Sequence, residues 1–66
     1  MNRIKEVLDT QDKTEKWLAD VLLHDIKVIH DWCDNKVDPS IKTLFAISMI
    51  LEVDVGDIYI SKYQKN

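Results

Sequence analysis

Apolar residues recur along most of this chain with the spacing of an α-helix. Ile4, Val7 and Leu8 fall at i, i+3 and i+4, so a helix would bring all three to one face. Four later segments also have helical spacing. The pattern predicts five short helices, over residues 2–10, 14–22, 25–35, 40–51 and 54–60, followed by a short tail over residues 61–66.

Polar residues that cap helices stand at the start of each segment. Side chains of Ser, Thr, Asp and Asn accept hydrogen bonds from the first amides of a helix, which have no partner inside it. Asn35 suits the end of the third helix, because asparagine tolerates a left-handed backbone. The predicted caps are Asn2, Thr14, Asp25, Ser40 and Asp54, with Asp57 placed to pair with Asp54.

The inner faces of these helices predict a core. In the second helix the inner stripe is Leu18, Val21 and Leu22. We expect six residues to be largely buried: Trp17, Leu18, Ile29, Trp32, Leu44 and Ile47. The connections are short, and no strand alternation occurs before the tail. The sequence therefore predicts one all-α domain, a compact five-helix bundle over residues 1–66.

The fourth predicted helix carries more apolar residues than one face can hold. They are Ile41, Leu44, Phe45, Ile47, Ile50 and Leu51. A domain this small buries only ~60% of the surface of its unfolded chain, and it often completes its core against a second copy. We therefore expect a homodimer whose contacts include the outer side of the fourth helix and residues 55–63.

Composition narrows the classes of protein to which the chain can belong. Cys33 is the only cysteine, which excludes an internal disulfide framework and a cysteine-rich zinc site. No apolar run approaches the ~18 residues that span a membrane, and no signal-peptide pattern opens the chain. We expect a cytoplasmic protein without a membrane partner.

The charge balance is acidic, with 9 Lys and Arg residues against 12 Asp and Glu residues. Phosphate contacts normally come from clustered bases, so this balance argues against a strong electrostatic attraction to nucleic acid. Residues 24–38 alone carry four aspartates and two lysines. Yet the spacing over this stretch fits the turn and second helix of a helix-turn-helix.

A set of residues in the second to fifth helices has a joint spacing that is more specific than any one of them. They are Thr14, Trp17-Leu18-Ala19, Ile29, Trp32-Cys33, Asn35-Lys36, Pro39-Ser40, Leu44, Ile47 and Val53-Asp54-Val55. With this spacing the chain resembles, without a gap over residues 2–60, the Cro and phage-repressor type helix-turn-helix family, often called the XRE family. The resemblance implies a five-helix, lambda-repressor-like DNA-binding domain, usually dimeric, whose third helix reads bases in the major groove.

The resemblance also implies which residues would contact double-stranded DNA. By position, the base-facing residues would be Asp25, Ile26, Lys27, His30 and Asp31. The residues that face phosphates would be Thr14, Glu15 and Lys36. The function implied is that of a sequence-specific regulator of transcription.

The chain departs from the family pattern on this same surface. Glu15 stands where a glutamine is usual, and Val28 stands where a small polar residue is usual. Leu23 occupies the turn position that usually holds glycine. We expect Leu23 either to adopt a left-handed conformation, at a cost of ~1–2 kcal/mol, or to remodel the turn.

A different class of function also fits the third helix. Ile26, Val28 and Val37 lie among aspartates, and a surface that is both apolar and acidic suits a basic protein partner. The alternative prediction is a protein-interaction module that keeps the fold and has lost DNA binding.

Metal binding and catalysis have less support. His30, Cys33 and Asp34 lie at i, i+3 and i+4, but a zinc site needs a further ligand or water and hydrogen bonds that orient its ligands. The chain shows neither a Gly-rich phosphate loop nor a nucleophile with an evident base. We expect no metal, no cofactor, no small-molecule substrate and no enzymatic activity.

Overall fold

The computed structural model describes residues 1–60, which fold into five α-helices. These are α1 (Ile4–Thr10), α2 (Glu15–Leu22), α3 (Ile26–Cys33), α4 (Ile41–Leu51) and α5 (Val55–Ile58). Within residues 1–60 the extended pairing is limited to an isolated antiparallel bridge between Asn2 and Tyr59. The prediction of an all-α, five-helix fold is confirmed. The predicted tail, residues 61–66, lies outside the described residues.

Three helices differ from their expected bounds by two residues at one end, each for a local reason. α1 begins at Ile4 instead of residue 2, because Asn2 lies in the bridge with Tyr59. α3 ends at Cys33 instead of residue 35, because Asn35 has a left-handed backbone with φ of 59°. α5 stops before Tyr59, whose backbone is extended.

The predicted caps of the later helices are formed. Side-chain oxygens accept backbone hydrogen bonds from Trp17 to Thr14 (3.0 Å), from Lys27 to Asp25 (2.8 Å) and from Thr43 to Ser40 (3.3 Å). Before α5 the backbone N–H of Asp54 donates to the carboxylate of Asp57 at 3.2 Å. These bonds satisfy amides that a helix leaves without partners, which is why the polar residues locate the helix starts.

Left-handed residues end α2 and α4. Leu23 has φ of 59° and ψ of 40°, and Glu52 has φ of 57° and ψ of 43°. Leu23 therefore adopts the left-handed conformation, and the turn is not remodelled. Leu23 is 92% exposed, so nothing in the core compensates the ~1–2 kcal/mol that this backbone costs a residue other than glycine.

Every helix contributes side chains to one core. Its buried apolar residues are Ile4, Leu8, Leu18, Ala19, Ile29, Trp32, Cys33, Leu44, Ile47, Leu51 and Ile58. Five of the six residues expected inside are among them. The exception is Trp17, which is only partly buried and whose ring lies under the ammonium of Lys13, 4.5 Å from the ring centroid.

The inner face of α2 is rotated from the one that the apolar spacing predicts. α2 packs against α3, and its buried side is centred on Leu18 and Ala19, so the expected inner residue Val21 is exposed. The placing of Val21 in the core was wrong, because the partner helix selects one face of α2 among several that look alike in sequence. In α4, Ile41 and Phe45 are exposed, which agrees with the expectation that one face of this helix cannot hold all of its apolar residues.

Asn2 joins the start of the chain to the end of α3. Its buried amide nitrogen donates to the backbone carbonyl of Trp32 at 2.8 Å and to the carboxylate of Asp38 at 3.1 Å. Its amide oxygen accepts from the backbone N–H of Ile4 at 3.1 Å. The N-cap position of α1 is therefore Arg3 and not Asn2 as predicted, although Asn2 bonds the first amide of the helix and also ties α1 to the end of α3.

Residues at the two ends of the described chain pair as extended backbone next to Asn2. Arg3 donates to the carbonyl of Ile58 at 2.7 Å, and Ile60 donates to the carbonyl of Met1 at 2.8 Å. The ammonium group of Met1 also lies 2.9 Å from Asp38. The hydrogen bond that the Met1 ammonium donates to the carboxylate is the main reason why the pKa of Asp38 is lowered.

Candidate nucleic-acid interface

α2, the turn over residues 23–25 and α3 form a helix-turn-helix. The turn is closed by Leu23 in its left-handed conformation and by a hydrogen bond from the N–H of His24 to the carbonyl of Ala19, at 3.0 Å. The ring of His24 then packs edge-on against Trp32, with 5.3 Å between ring centroids. Because Ile29 and Trp32 are buried, the opposite face of α3 is fixed toward solvent.

The five predicted base-facing residues lie on this outer side of α3 or at its start. Ile26, Lys27 and His30 are exposed, and Asp31 is half-buried. Asp25 is also exposed, but its carboxylate accepts the backbone N–H of Lys27 and caps the helix. Three side chains of different chemistry, one apolar, one cationic and one imidazole, are thus presented together.

The three predicted phosphate-facing residues occupy two places. Thr14 caps α2, and Lys36 is exposed just after α3. The side chain of Glu15 turns toward the protein: one carboxylate oxygen contacts Nδ1 of His30, and the other lies 4.0 Å from Nζ of Lys5. The contact between Glu15 and His30 brings together two predicted site residues that lie on different helices.

Three lysines that the motif did not single out surround the amino end of α2. Lys5 of α1 lies beside Glu15, Lys13 covers the ring of Trp17, and Lys16 lies in the first turn, 3.2 Å from Asp20. Lys13 and Lys16 lie close to the predicted cap Thr14 in the sequence, so their position near the amino end of α2 could have been predicted. Lys5 comes from another helix, and no local pattern could have located it.

Some of the acidic residues in 24–38 have a structural role, although Asp25, Asp34 and Asp38 are all exposed. Asp25 caps α3, and Asp38 is bonded to Asn2 and to the Met1 ammonium group. Only Asp31 and Asp34 remain without such a structural contact among the described residues. Two of the four negative charges therefore have a role in folding.

Cys33 lies under this surface in the core. Burial raises the pKa of its thiol to about 12, and the nearby carboxylate of Glu15 adds to the effect. A thiol with this pKa stays protonated at neutral pH, which disfavours both metal ligation and nucleophilic attack. Among residues 1–60, no group of three or more His, Cys, Asp or Glu side chains is arranged to hold a metal ion. No helix in this part of the chain is long and apolar enough to cross a membrane.

We expect Cys33 to resist thiol reagents in the folded protein. At about pH 8 a free cysteine, with pKa near 8.5, is partly thiolate, whereas a thiol with a pKa of about 12 has almost none. Labelling should therefore be at least a hundredfold slower than in urea-unfolded protein, as measured with a chromogenic disulfide. Equal rates in both states would place Cys33 outside the core.

No family model and no curated protein matches this chain. Its fold is similar to that in the crystal structure of a putative DNA-binding protein from Bacteroides fragilis. The TM-score is 0.86 and the sequences are 36% identical, over 88% of this chain and 94% of the other. This chain belongs to the same family as that protein.

Proposed function

We propose that this protein is a sequence-specific, DNA-binding regulator of transcription of the Cro and repressor type, and that it acts in the cytoplasm. The observation that carries the proposal is the outer face of α3. Ile26, Lys27 and His30 are exposed together there, while the opposite face of the helix is buried in the core. The kinship with a putative DNA-binding protein supports it. In this proposal α3 enters the major groove.

The exposed residues of α3 have the chemistry needed to distinguish bases. Lysine donates to O6 or N7 of guanine, aspartate accepts from N4 of cytosine, and an apolar side chain contacts the methyl group of thymine. Lys27, Asp31 and Ile26 offer these three contacts within two turns of one helix. Base reading needs few residues, so it does not depend on the net charge of the protein.

Attachment to the phosphates would use the amino end of α2. Lys5, Lys13 and Lys16 gather there, and within residues 1–60 no backbone acceptor bonds the amides of Glu15 and Lys16. Free amides at a helix start attract anions, and the helix dipole adds to the attraction. Lys36 would supply a further contact beyond α3. A local basic patch of this kind would let an acidic protein bind DNA.

A homodimer would place two copies of α3 in successive major grooves, ~34 Å apart on a palindromic site. The surface that we propose for the dimer is an apolar stripe on α4, formed by Ile41, Phe45 and Met49 at i, i+4 and i+8. These residues are 63%, 52% and 78% exposed in the single chain. Contiguous exposed apolar surface marks interaction sites. Residues 61–63, which were also expected in the contact, lie outside the described residues.

Selection of binding sites from a random-sequence duplex pool at low salt tests the proposal. Lys27→Ala should relax the preference at one base position of each half-site, by ~1–3 kcal/mol. Lys16→Ala is the matched control: it removes the same charge from the phosphate-binding end, so it should weaken all duplexes nearly equally. A parent protein without sequence preference would contradict the proposal.

A second substitution separates repulsion from reading. Asp34→Asn removes an exposed charge next to the reading face, so it should raise the affinity for every duplex and steepen the salt dependence of binding. It should leave the selected sequence unchanged. Asp38→Asn is unsuitable for this purpose, because it would break the bonds to Asn2 and Met1.

A protein-interaction module is the second candidate. Leu23, Ile26 and Val28 are exposed around the turn and the start of α3, next to Asp31 and Asp34. Apolar and acidic groups together complement a basic protein surface. In this case the parent protein would bind no duplex even at low salt, and neutralising Asp31 and Asp34 would weaken the protein complex.

A further inference from the structure

Glu15 and His30 form a contact between α2 and α3 at the centre of the proposed interface. Glu15 is the first residue of α2, and its side chain is only 19% exposed. His30 lies in the second turn of α3 with 55% of its side chain exposed, and its Nδ1 meets the carboxylate. One ring edge of His30 is thus held by the protein, while much of the ring remains accessible.

The chemistry of the two groups decides where the imidazole hydrogen lies. An ionised carboxylate can only accept hydrogen bonds, so Nδ1 must be the nitrogen that carries the hydrogen. In a neutral imidazole the other nitrogen, Nε2, then has a lone pair and no hydrogen. Nε2 is therefore a hydrogen-bond acceptor.

Lys5 holds the carboxylate in this arrangement from its other side. Its ammonium lies 4.0 Å from the second carboxylate oxygen of Glu15. This ion pair orients the carboxylate so that its other oxygen faces Nδ1 of His30. Three helices, α1, α2 and α3, thus each supply one member of the array.

We infer that Glu15 is a positioning residue that fixes the tautomer of His30 and so selects the base that His30 reads. With Nε2 as an acceptor, His30 would pair with a donor in the major groove, the N6 amino group of adenine or the N4 amino group of cytosine. It would disfavour guanine and thymine, which offer only acceptors at the corresponding positions. The inference rests on the proposed function.

The tautomer can be measured in the free protein, independently of DNA. At about pH 8.5, where an ordinary histidine is neutral, long-range ¹H–¹⁵N NMR distinguishes protonated from unprotonated ring nitrogens. We expect hydrogen on Nδ1 of His30 in the parent. In Glu15→Gln we expect the amide oxygen to face the Lys5 ammonium, which leaves the NH2 group to donate to Nδ1, so the hydrogen should move to Nε2. His24 is the internal control and should not change. A parent with hydrogen on Nε2, or no movement in Glu15→Gln, overturns the inference.

Site selection then tests the consequence. The parent should select adenine or cytosine at one position of each half-site, and His30→Ala should lose that preference, by about tenfold or more. Glu15→Gln should turn the preference toward guanine or thymine. Glu6→Gln is the matched control, because it removes the same charge from α1 and has no contact with His30 among the described residues.

The outcomes separate the inference from the proposed function. A sequence preference that Glu15→Gln leaves unmoved overturns the inference and leaves DNA reading intact. If Glu15→Gln lowers the affinity for all duplexes equally and also lowers the melting temperature, Glu15 only stabilises the packing of the helices. That result overturns the inference as well. A parent that binds no duplex overturns both.

Discussion

Ile29→Ala should destabilise the domain by ~2–5 kcal/mol, the range for removing a large aliphatic side chain from a packed core. Ile29 is fully buried at the centre of α3. A small domain has a total stability of only ~5–15 kcal/mol, so a loss of this size would leave a large unfolded fraction or a much lower melting temperature. Urea and thermal denaturation followed by circular dichroism measure the change.

Val28→Ala is the matched control for that experiment. Val28 precedes Ile29 on α3 but is exposed, and surface substitutions usually change stability by less than about 0.5 kcal/mol. Leu44→Ala, in the buried face of α4, should repeat the effect of Ile29→Ala. If Ile29→Ala melted within a degree or two of the parent while Val28→Ala did not, α3 would face the opposite way, and the reading surface would be wrong as well.

Phe45→Glu should convert the proposed dimer into a monomer. Phe45 is the middle residue of the α4 stripe, and a carboxylate there would have to be buried without a partner. At micromolar concentration, sedimentation equilibrium should give about twice 7.7 kDa for the parent and a single chain mass for the variant. Because two linked half-site contacts bind about 10²- to 10⁴-fold more tightly than one, affinity for a palindromic site should fall by a comparable factor.

Val21→Glu controls for the new charge. Val21 is an exposed apolar residue on α2, away from the stripe in the chain, so its replacement should leave the dimer intact. The folded state of both variants is checked by circular dichroism, since neither site lies in the core. A parent that stays monomeric at tens of micromolar would remove the stripe as a dimer surface and leave the half-site geometry without support.

Features that depend on a few neighbouring residues could be predicted from the sequence. The caps at Thr14, Asp25 and Ser40 act through side chains two or three residues from the amides they bind, so their position in the sequence determines the contact. The left-handed backbone of Leu23 was one of two outcomes that the resemblance left open, and the structure decides between them. These local signals, together with the apolar spacing within each helix, were enough to predict the fold class.

Features that depend on how helices meet could not be predicted in this way. Several faces of α2 carry apolar residues, and only the packing of α2 in the bundle decides that Leu18 and Ala19 are buried and Val21 is exposed. Glu15 contacts His30 and Lys5, and the three residues lie on three different helices. The spacing of residues within one helix therefore cannot predict this contact. The base-facing and phosphate-facing roles remain predictions. The structure adds the contact between Glu15, from the predicted phosphate-facing set, and His30, from the predicted base-facing set.

The backbone pairing of Arg3 with Ile58, and of Met1 with Ile60, closes a loop that contains nearly all of the described chain. Closing a loop costs more conformational entropy as the loop lengthens, whereas α2 and α3 meet across the short turn over residues 23–25. Folding should therefore assemble α2 and α3 early and join the chain ends late. In the native state the ends should likewise part first, in local openings that leave the helix-turn-helix closed. The surface proposed to read DNA is thus built on the segment that forms early and opens late.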